Sequence, residues 1–334
     1  MLSKIRPFYD PKNLCIENIY VSICDALGRN YKNIYAYAWN FGYIRANNLK
    51  DEALFGKRIM PSRDGQGLNT EENYALEMYC GIKPIWHINC EFENFIDIVK
   101  KELECNRPVV LGTDIFFCNW HKASKKYHSI HYCLVIGINK KGFICIDDTL
   151  ASTDGNLILE ERPESVLLDF DTLKKFNYGF ITFQISPSAP EYSSDEVVYL
   201  AALKSLTGFN GKSDYDNIRE LIVDIDEYLD INKEIQGFED VWAVDLIRCF
   251  NYIVWSRNNF CIFLNDKQKY KGLDIKPIVD KLMDSMNLWE GIKNYTMKYG
   301  IDPKSKFNKG LICDNLNEII MIEEAVAHEI VNAK

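Results

Sequence analysis

The hydrophobic pattern of this 334-residue chain differs on the two sides of the proline- and serine-rich residues 186–190. Before that stretch, helical patterns give way to short apolar or alternating runs typical of β-strands. After it, apolar residues recur at helical spacing almost throughout. We therefore predict an α+β domain over residues 1–185, with an N-terminal helix packed on an antiparallel sheet. A C-terminal all-helical domain is predicted over residues 186–334, after the linker.

The same periodicities predict the individual elements. In the first domain, helices are expected at 15–27, 34–47, 70–80 and 91–104, and strands at 84–88, 108–113, 130–138, 142–147 and 180–185. The first helix has Asn13 as its expected N-cap and Gly28 as its expected terminating residue. In the second domain, helices are expected at 197–206, 215–229, 238–264, 276–299 and 316–332.

Composition excludes several functional classes. A net charge of −9 disfavours a general binder of nucleic acid or anionic membrane. The chain contains no run of roughly 18 apolar residues, so no membrane span is predicted. The first residues lack the apolar core of a secretion signal. The eleven cysteines are scattered without close pairs, which is typical of reduced thiols rather than of a disulfide framework. We therefore expect a cytoplasmic protein with neither nucleic-acid nor membrane partners.

Three residues on the predicted elements form a constellation suited to thiol chemistry. Cys15 opens the first helix, where unpaired backbone N–H groups and a nearby imidazolium lower the pKa of a thiol. His131 lies on the 130–138 strand and is the expected general base. Asp147 ends the hairpin partner of that strand and is the expected orienting carboxylate, with Asp148 as the alternative. Successive strand residues face opposite ways, so only one of the two aspartates can face His131.

Other features of this region have weaker or alternative interpretations. An oxyanion formed on the substrate is expected to meet backbone N–H groups of the first helix and a side-chain donor from Asn13 or Tyr9. The spacing of four possible metal ligands also resembles a zinc motif, but the intervening stretch is short and rich in lysine, so we predict no metal. Those four residues are Cys118, His121, His128 and His131.

The residues around this constellation resemble the butirosin-type side-chain acyltransferases, a papain-fold family of natural-product pathways. The resemblance covers the first ~185 residues and lies in the segments Asn-Leu-Cys-Ile-Glu-Asn at 13–18, Arg-Pro-Val-Val-Leu-Gly-Thr-Asp at 107–114, His-Tyr-Cys-Leu-Val-Ile-Gly at 131–137 and Cys-Ile-Asp-Asp at 145–148. Ile130 stands where the family often has glycine. The chain also resembles the cysteine-dependent amide synthases of polythioamide assembly, which join a carrier-bound peptide to a diamine.

The resemblance implies that an acyl or peptidyl group passes from a carrier-protein thioester to the cysteine and then to an amine. The phosphopantetheine arm would belong to the carrier, and the enzyme itself would need no cofactor. Basic residues expected to contact the carrier are Lys57, Arg58, Lys122, Lys125 and Lys126, and acidic residues expected to attract a cationic amine are Asp224, Asp226, Asp240 and Asp245. The rival hypotheses are a papain-like peptidase or amidohydrolase that uses the same three residues, and an inert binding module.

Overall fold

The protein forms two compact units, one of Met1–Asn33 and Asn73–Pro190 and the other of Ile34–Glu72 and Glu191–Lys334. We call the first the sheet unit and the second the helical unit. The computed structural model describes residues 1–45, 54–59, 71–88, 90–121, 123–126, 128–150, 165–175, 179–208, 211–236, 241, 244–302 and 306–333.

This division differs from the predicted one, because residues 34–72 group with the helical unit rather than with the sheet. Buried polar contacts within the helical unit show why. The Trp39 indole donates to Glu323 (2.8 Å), and the Phe55 backbone N–H donates to Glu234 (2.6 Å). Buried polar groups require such partners, so the segment belongs with the residues that supply them. Hydrogen bonds between residues this far apart in sequence leave no periodic pattern in the local sequence, so the pattern could not reveal this grouping.

The sheet unit is built on six antiparallel strands in the spatial order β1-β6-β2-β3-β4-β5. They are β1 (Ile82–His87), β2 (Val109–Asp114), β3 (Ile130–Ile138), β4 (Gly142–Ile146), β5 (Val166–Asp169) and β6 (Phe180–Ile185). Five of them were predicted, and only β5 was not. Its four residues are too few to show an alternation. The mixed α/β character and the antiparallel sheet are thereby confirmed.

A tight turn and a β-bulge set the register of the β3–β4 hairpin. The Asn139 side chain accepts hydrogen bonds from the backbone N–H groups of Lys141 (2.8 Å) and Gly142 (3.1 Å), which closes the turn. Beyond the turn, Ile138 pairs with Phe143, but a shift between 135 and 137 then pairs Leu134 with Ile146. Continued by one residue, this register places Asp147 opposite Cys133.

In its described residues, the sheet unit contains the α-helices α1 (Cys15–Ala26), α2 (Glu71–Cys80), α3 (Phe92–Glu104) and α4 (Phe170–Leu173). The α1 helix packs against β3, and α3 places Phe95 and Val99 in the core of the sheet. Gly28 follows α1 with φ of +64°, the left-handed conformation expected of a terminating glycine.

The predicted helix at 34–47 is wrong. Residues Tyr31–Tyr37 form a short 3₁₀ helix, and no helix follows over residues 38–45. The Asn40 side chain donates to the carbonyl of Tyr37 (2.8 Å), a local bond that competes with helix continuation. The chain then runs extended, and Tyr43 forms an isolated bridge with Ile59.

The helical unit contains α5 (Ser194–Thr207), α6 (Asp214–Tyr228), α7 (Ile231–Ile235), α8 (Asp245–Lys267), α9 (Lys276–Ile301) and α10 (Lys309–Asn332). The prediction that it is all-helical is wrong at one place, a hairpin of β7 (Lys269–Tyr270) and β8 (Leu273–Asp274). Lys271 and Gly272 both have positive φ, at 46° and 80°, as a two-residue hairpin turn requires.

Candidate active site

The N-terminus of α1 presents Cys15 as its first helical residue. Leu14 is the N-cap, and its backbone N–H donates to the Glu17 carboxylate (2.6 Å). The prediction that Asn13 caps this helix is therefore wrong. Its side-chain amide turns instead to the side-chain oxygen of Asn18 (3.1 Å). All eleven cysteines of the chain are free thiols.

His131 and Asp147 form a buried pair at the open end of the β3–β4 hairpin. His131 Nε2 lies 2.7 Å from Asp147 Oδ2, and the two residues are 4% and 0% exposed. Cys15 lies close enough to the same imidazole to raise its pKa. Because Nε2 is engaged with Asp147, Nδ1 is the ring nitrogen that remains for the Cys15 sulfur. The structure thus brings together the three residues that the sequence singled out.

The carboxylate of Asp147 accepts hydrogen bonds from several donors besides His131. Its Oδ2 accepts from the Trp120 indole N–H (2.9 Å) and the Cys133 thiol (3.3 Å). Its Oδ1 accepts from the Thr149 backbone N–H (2.9 Å) and hydroxyl (2.6 Å). Burial alone would raise the pKa of Asp147, but the bonds from His131, Thr149 and Trp120 hold it well below its usual range. Asp147 is therefore a fixed anion.

The protonation of His131 follows from its two neighbours. Burial by itself lowers the pKa of an imidazole, but the hydrogen bond to Asp147 and the nearby Cys15, together with the charges of both groups, raise the pKa of His131 well above its ordinary value. These neighbours therefore favour the imidazolium form of His131. It lies beside a carboxylate on one side and a sulfur on the other, which is the charge arrangement that thiol catalysis needs.

The Asp148 side chain faces Asn18 rather than His131. Its Oδ2 accepts from the Asn18 side-chain amide (2.9 Å), and the residue is 8% exposed. Burial and the nearby charge of Asp147 raise the pKa of Asp148 to about 6. The geometry therefore selects Asp147, not Asp148, as the partner of His131.

Sequence reasoning missed the other donors to Asp147. Cys133 lies two residues after His131 on one strand, so the two-residue period of a strand already put both on one face. Thr149 follows Asp147 at the spacing of an aspartate turn, which is also a local signal. Nothing in the spacing of Trp120 indicates that it reaches Asp147, because that contact is tertiary.

The two proposed oxyanion donors lie in the segment before α1. Asn13 is buried, and its amide donates to Asn18. Tyr9 is half-buried. Their role toward an oxyanion stays a prediction.

The basic residues expected to contact a carrier are placed unequally. Lys57, Lys125 and Lys126 are exposed, and Lys122 lies outside the described residues. Arg58 is only 7% exposed, and its guanidinium pairs with Asp224 inside the helical unit. A surface role for Arg58 is therefore wrong.

Among the acidic residues expected to attract an amine, Asp224 is buried and accepts from Tyr43 (2.8 Å), Arg45 (3.1 Å) and Arg58. These partners compensate its charge, so Asp224 cannot attract an amine. Asp226 is exposed, Asp245 lies 3.6 Å from Arg248, and Asp240 is outside the described residues.

The four residues with zinc-like spacing, Cys118, His121, His128 and His131, do not form a ligand group among the described residues. His128 binds Asp114 (2.7 Å), and His121 Nδ1 accepts the Ala123 backbone N–H (3.0 Å). Within the described ranges, the ligand atoms close enough to share an ion belong instead to His131, Cys133 and Asp147.

Comparison with known proteins adds no family assignment: no protein-family profile and no curated protein matches the chain. In the part of the chain that the structure describes, no helix is both long and apolar enough to cross a bilayer.

Proposed function

We propose that the chain is a cysteine-dependent acyltransferase that makes an amide from a carrier-protein thioester and an amine. One observation carries the proposal. Cys15, at the start of a helix, lies close enough to His131 to raise the pKa of the imidazole, and Nε2 of that imidazole is held by a fully buried Asp147 anion. A helix bearing the cysteine beside a sheet bearing the other two residues also agrees with the papain-like fold implied by the resemblance.

The first half-reaction loads the enzyme. The Cys15 thiolate attacks the carbonyl carbon of the thioester, and the carbon–sulfur bond to the pantetheine arm breaks. The His131 imidazolium gives its proton to the departing sulfur, so that the arm leaves as a thiol. The backbone N–H groups in the first turn of α1, which begins at Cys15, are the expected donors to the oxyanion.

The second half-reaction releases the amide. A neutral amine attacks the Cys15 acyl carbon, the carbon–sulfur bond to Cys15 breaks, and the neutral His131 takes the proton from nitrogen. This restores the thiolate and the imidazolium. A thioester donor is already activated, so the chemistry needs no cofactor beyond the phosphopantetheine of the carrier. Choice of an amine over water rests on the family resemblance rather than on a contact in the structure.

The surface supports partner binding only in part. Lys125 and Lys126 are exposed in the sheet unit and Lys57 in the helical unit, so all three are candidates for contact with an acidic carrier. In the helical unit, exposed Asp226 remains a candidate for attracting a cationic amine. A carrier-dependent reaction of this kind is expected in the cytoplasm.

The test is to incubate the protein with an acylated carrier protein and record its intact mass. We expect one acyl adduct, lost in Cys15→Ala, and its conversion to an amide when a diamine is added. Cys105→Ala is the matched control, because Cys105 is the exposed thiol most open to uncatalysed exchange, and its loss should leave the adduct in place.

Release of free acid at the same rate with and without diamine would identify a hydrolase and refute amide synthesis. An adduct that persists in Cys15→Ala and disappears in Cys105→Ala would refute the assignment of Cys15 as nucleophile. No adduct with any thioester would favour an inert binding module.

A further inference from the structure

Three side chains with different ligand atoms converge behind Cys15. The ligand atoms of His131, Cys133 and Asp147 all lie within 4.8 Å of one another. His131 Nε2 is 2.7 Å from Asp147 Oδ2, and Cys133 Sγ is 3.3 Å from the same oxygen. None of the three residues is more than 4% exposed. The proposed reaction uses the nitrogen and the oxygen but assigns no role to the Cys133 sulfur.

Imidazole nitrogen, thiolate sulfur and carboxylate oxygen are the three ligand types that proteins offer to zinc. Ligand atoms at about 2.0–2.3 Å from a tetrahedral zinc ion lie roughly 3.3–3.8 Å from one another. The sulfur–oxygen separation of 3.3 Å already meets this requirement. The nitrogen–oxygen separation of 2.7 Å must open by about 0.6 Å to meet it. That shift is within reach of a small side-chain rotation.

The charges also balance. Before binding, the imidazolium and the Asp147 carboxylate cancel, and Cys133 is a neutral thiol. When Zn²⁺ binds, the Cys133 thiol and His131 Nε2 each release a proton to solvent. The ion then faces one thiolate, one carboxylate and a neutral imidazole. The buried site is neutral in both states, which avoids the large cost of an uncompensated buried charge.

Neighbouring groups suit the outer shell of such a site. A histidine bound to zinc through Nε2 carries its remaining proton on Nδ1, and here that atom is the one left to face Cys15, which influences the pKa of the ring. The buried Cys118 thiol lies close enough to Cys133 to influence its pKa. A water molecule would complete the tetrahedron and keep the site neutral, whereas Cys118 as the fourth ligand would bind as a thiolate and add one negative charge.

We propose that His131, Cys133 and Asp147 form a binding site for Zn²⁺, and that the bound ion reversibly blocks the enzyme. With the ion on Nε2 and a proton on Nδ1, the imidazole has no nitrogen left to accept a proton from the amine, and loss of the Nδ1 proton to the leaving thiol would produce an unfavourable imidazolate. His131 therefore no longer serves as base or acid. Metal binding does not depend on the proposed function, whereas the block rests on it.

Cobalt(II) is the probe for the first part, added to the metal-free full-length protein. We expect one Co²⁺ per chain, a near-ultraviolet band from thiolate coordination, visible bands of a tetrahedral ion, and displacement of all bands by Zn²⁺. Cys133→Ser should remove the thiolate band and weaken binding at least about tenfold, the scale seen even for outer-shell partners.

Two variants provide the controls. Cys145→Ser removes another fully buried thiol, on β4 and outside the ligand group, and should keep the bands. Cys15→Ala should also keep them, since Cys15 is not a ligand. Bands lost in Cys15→Ala and kept in Cys133→Ser would overturn the site. X-ray absorption of the wild-type zinc complex, which needs no variant to fold, should show one or two sulfur ligands, and none would also overturn it.

The block is tested separately, by measuring formation of the acyl adduct with and without Zn²⁺ and then after a chelator. Suppressed loading that the chelator restores is expected. Undiminished loading with the zinc site filled would refute the block. Acyl transfer without Co²⁺ binding would refute the metal site and leave the proposed function standing. Metal binding without any acyl transfer by the metal-free protein would refute the proposed function and leave the metal site standing.

Discussion

The indole N–H of Trp120 donates to Asp147 Oδ2 over 2.9 Å, and Trp120→Phe removes this donor while keeping an aromatic ring. A hydrogen bond to a charged group contributes about 1.5–3 kcal/mol. Oδ2 keeps its bonds from His131 and Cys133 after the change, so the carboxylate is not left unpaired. The loss should therefore lie near the lower end, at roughly 1.5–2 kcal/mol for the hydrogen bond itself.

Trp86→Phe is the matched control for the smaller ring. Trp86 is half-buried like Trp120 and lies in the same unit, but its indole nitrogen has no hydrogen-bond partner among the described residues. Both substitutions remove the same atoms. Because Trp86→Phe also removes a buried N–H without a partner, which favours the folded state, the excess destabilisation of Trp120→Phe over Trp86→Phe is an upper limit for the N–H···Oδ2 bond.

The assay is urea unfolding of both variants, followed by a double-mutant cycle of Trp120→Phe with Asp147→Asn. The free energy of unfolding should fall further in Trp120→Phe by about 1.5–2 kcal/mol, and the cycle should give a coupling of similar size. Equal losses in the two tryptophan variants, with a coupling below about 0.5 kcal/mol, would refute the role of Trp120.

Three further predictions address the carboxylates. Asp147→Asn should lower the rate of acyl transfer by about 10⁴-fold, the scale of the same change in serine triads, while Asp148→Asn stays near wild type; the reverse order in single-turnover assays would transfer the role to Asp148. The pKa of Asp148 is higher in the folded protein, about 6, than in the unfolded chain, so the folded state holds the proton more tightly. The contribution of Asp148 to the free energy of unfolding is therefore fully present below about pH 4 and is lost as pH rises through 6. Asp148→Asn should therefore be more stable than wild type at pH 7 in urea titrations by roughly 2–3 kcal/mol, with no gain near pH 4; a gain independent of pH would contradict this. In the helical unit, Glu323→Gln breaks the buried pair with Arg257 and should cost about 3–5 kcal/mol in thermal or urea unfolding, against at most about 1 kcal/mol for half-buried Glu324→Gln; equal costs would refute it.

Local patterns were enough for most of the elements that carry the site. The helix that begins at Cys15 and the strand over residues 130–138 were predicted from apolar spacing alone, although both are buried on more than one side. The helix predicted at 34–47 failed because polar groups of this segment find partners far along the chain, which apolar spacing does not reveal.

The sequence by itself determined the order of the chemistry, with a thiol at a helix start and an imidazole and carboxylates on one hairpin, and it left two aspartates equivalent. Only the tertiary structure decided between them. The register near the turn, continued without interruption, would place Asp148 opposite Cys133, but the bulge between 135 and 137 moves the pairing by one residue and places Asp147 there. Because a shift of one residue turns every side chain to the other face of a strand, that irregularity selects the anion that holds His131.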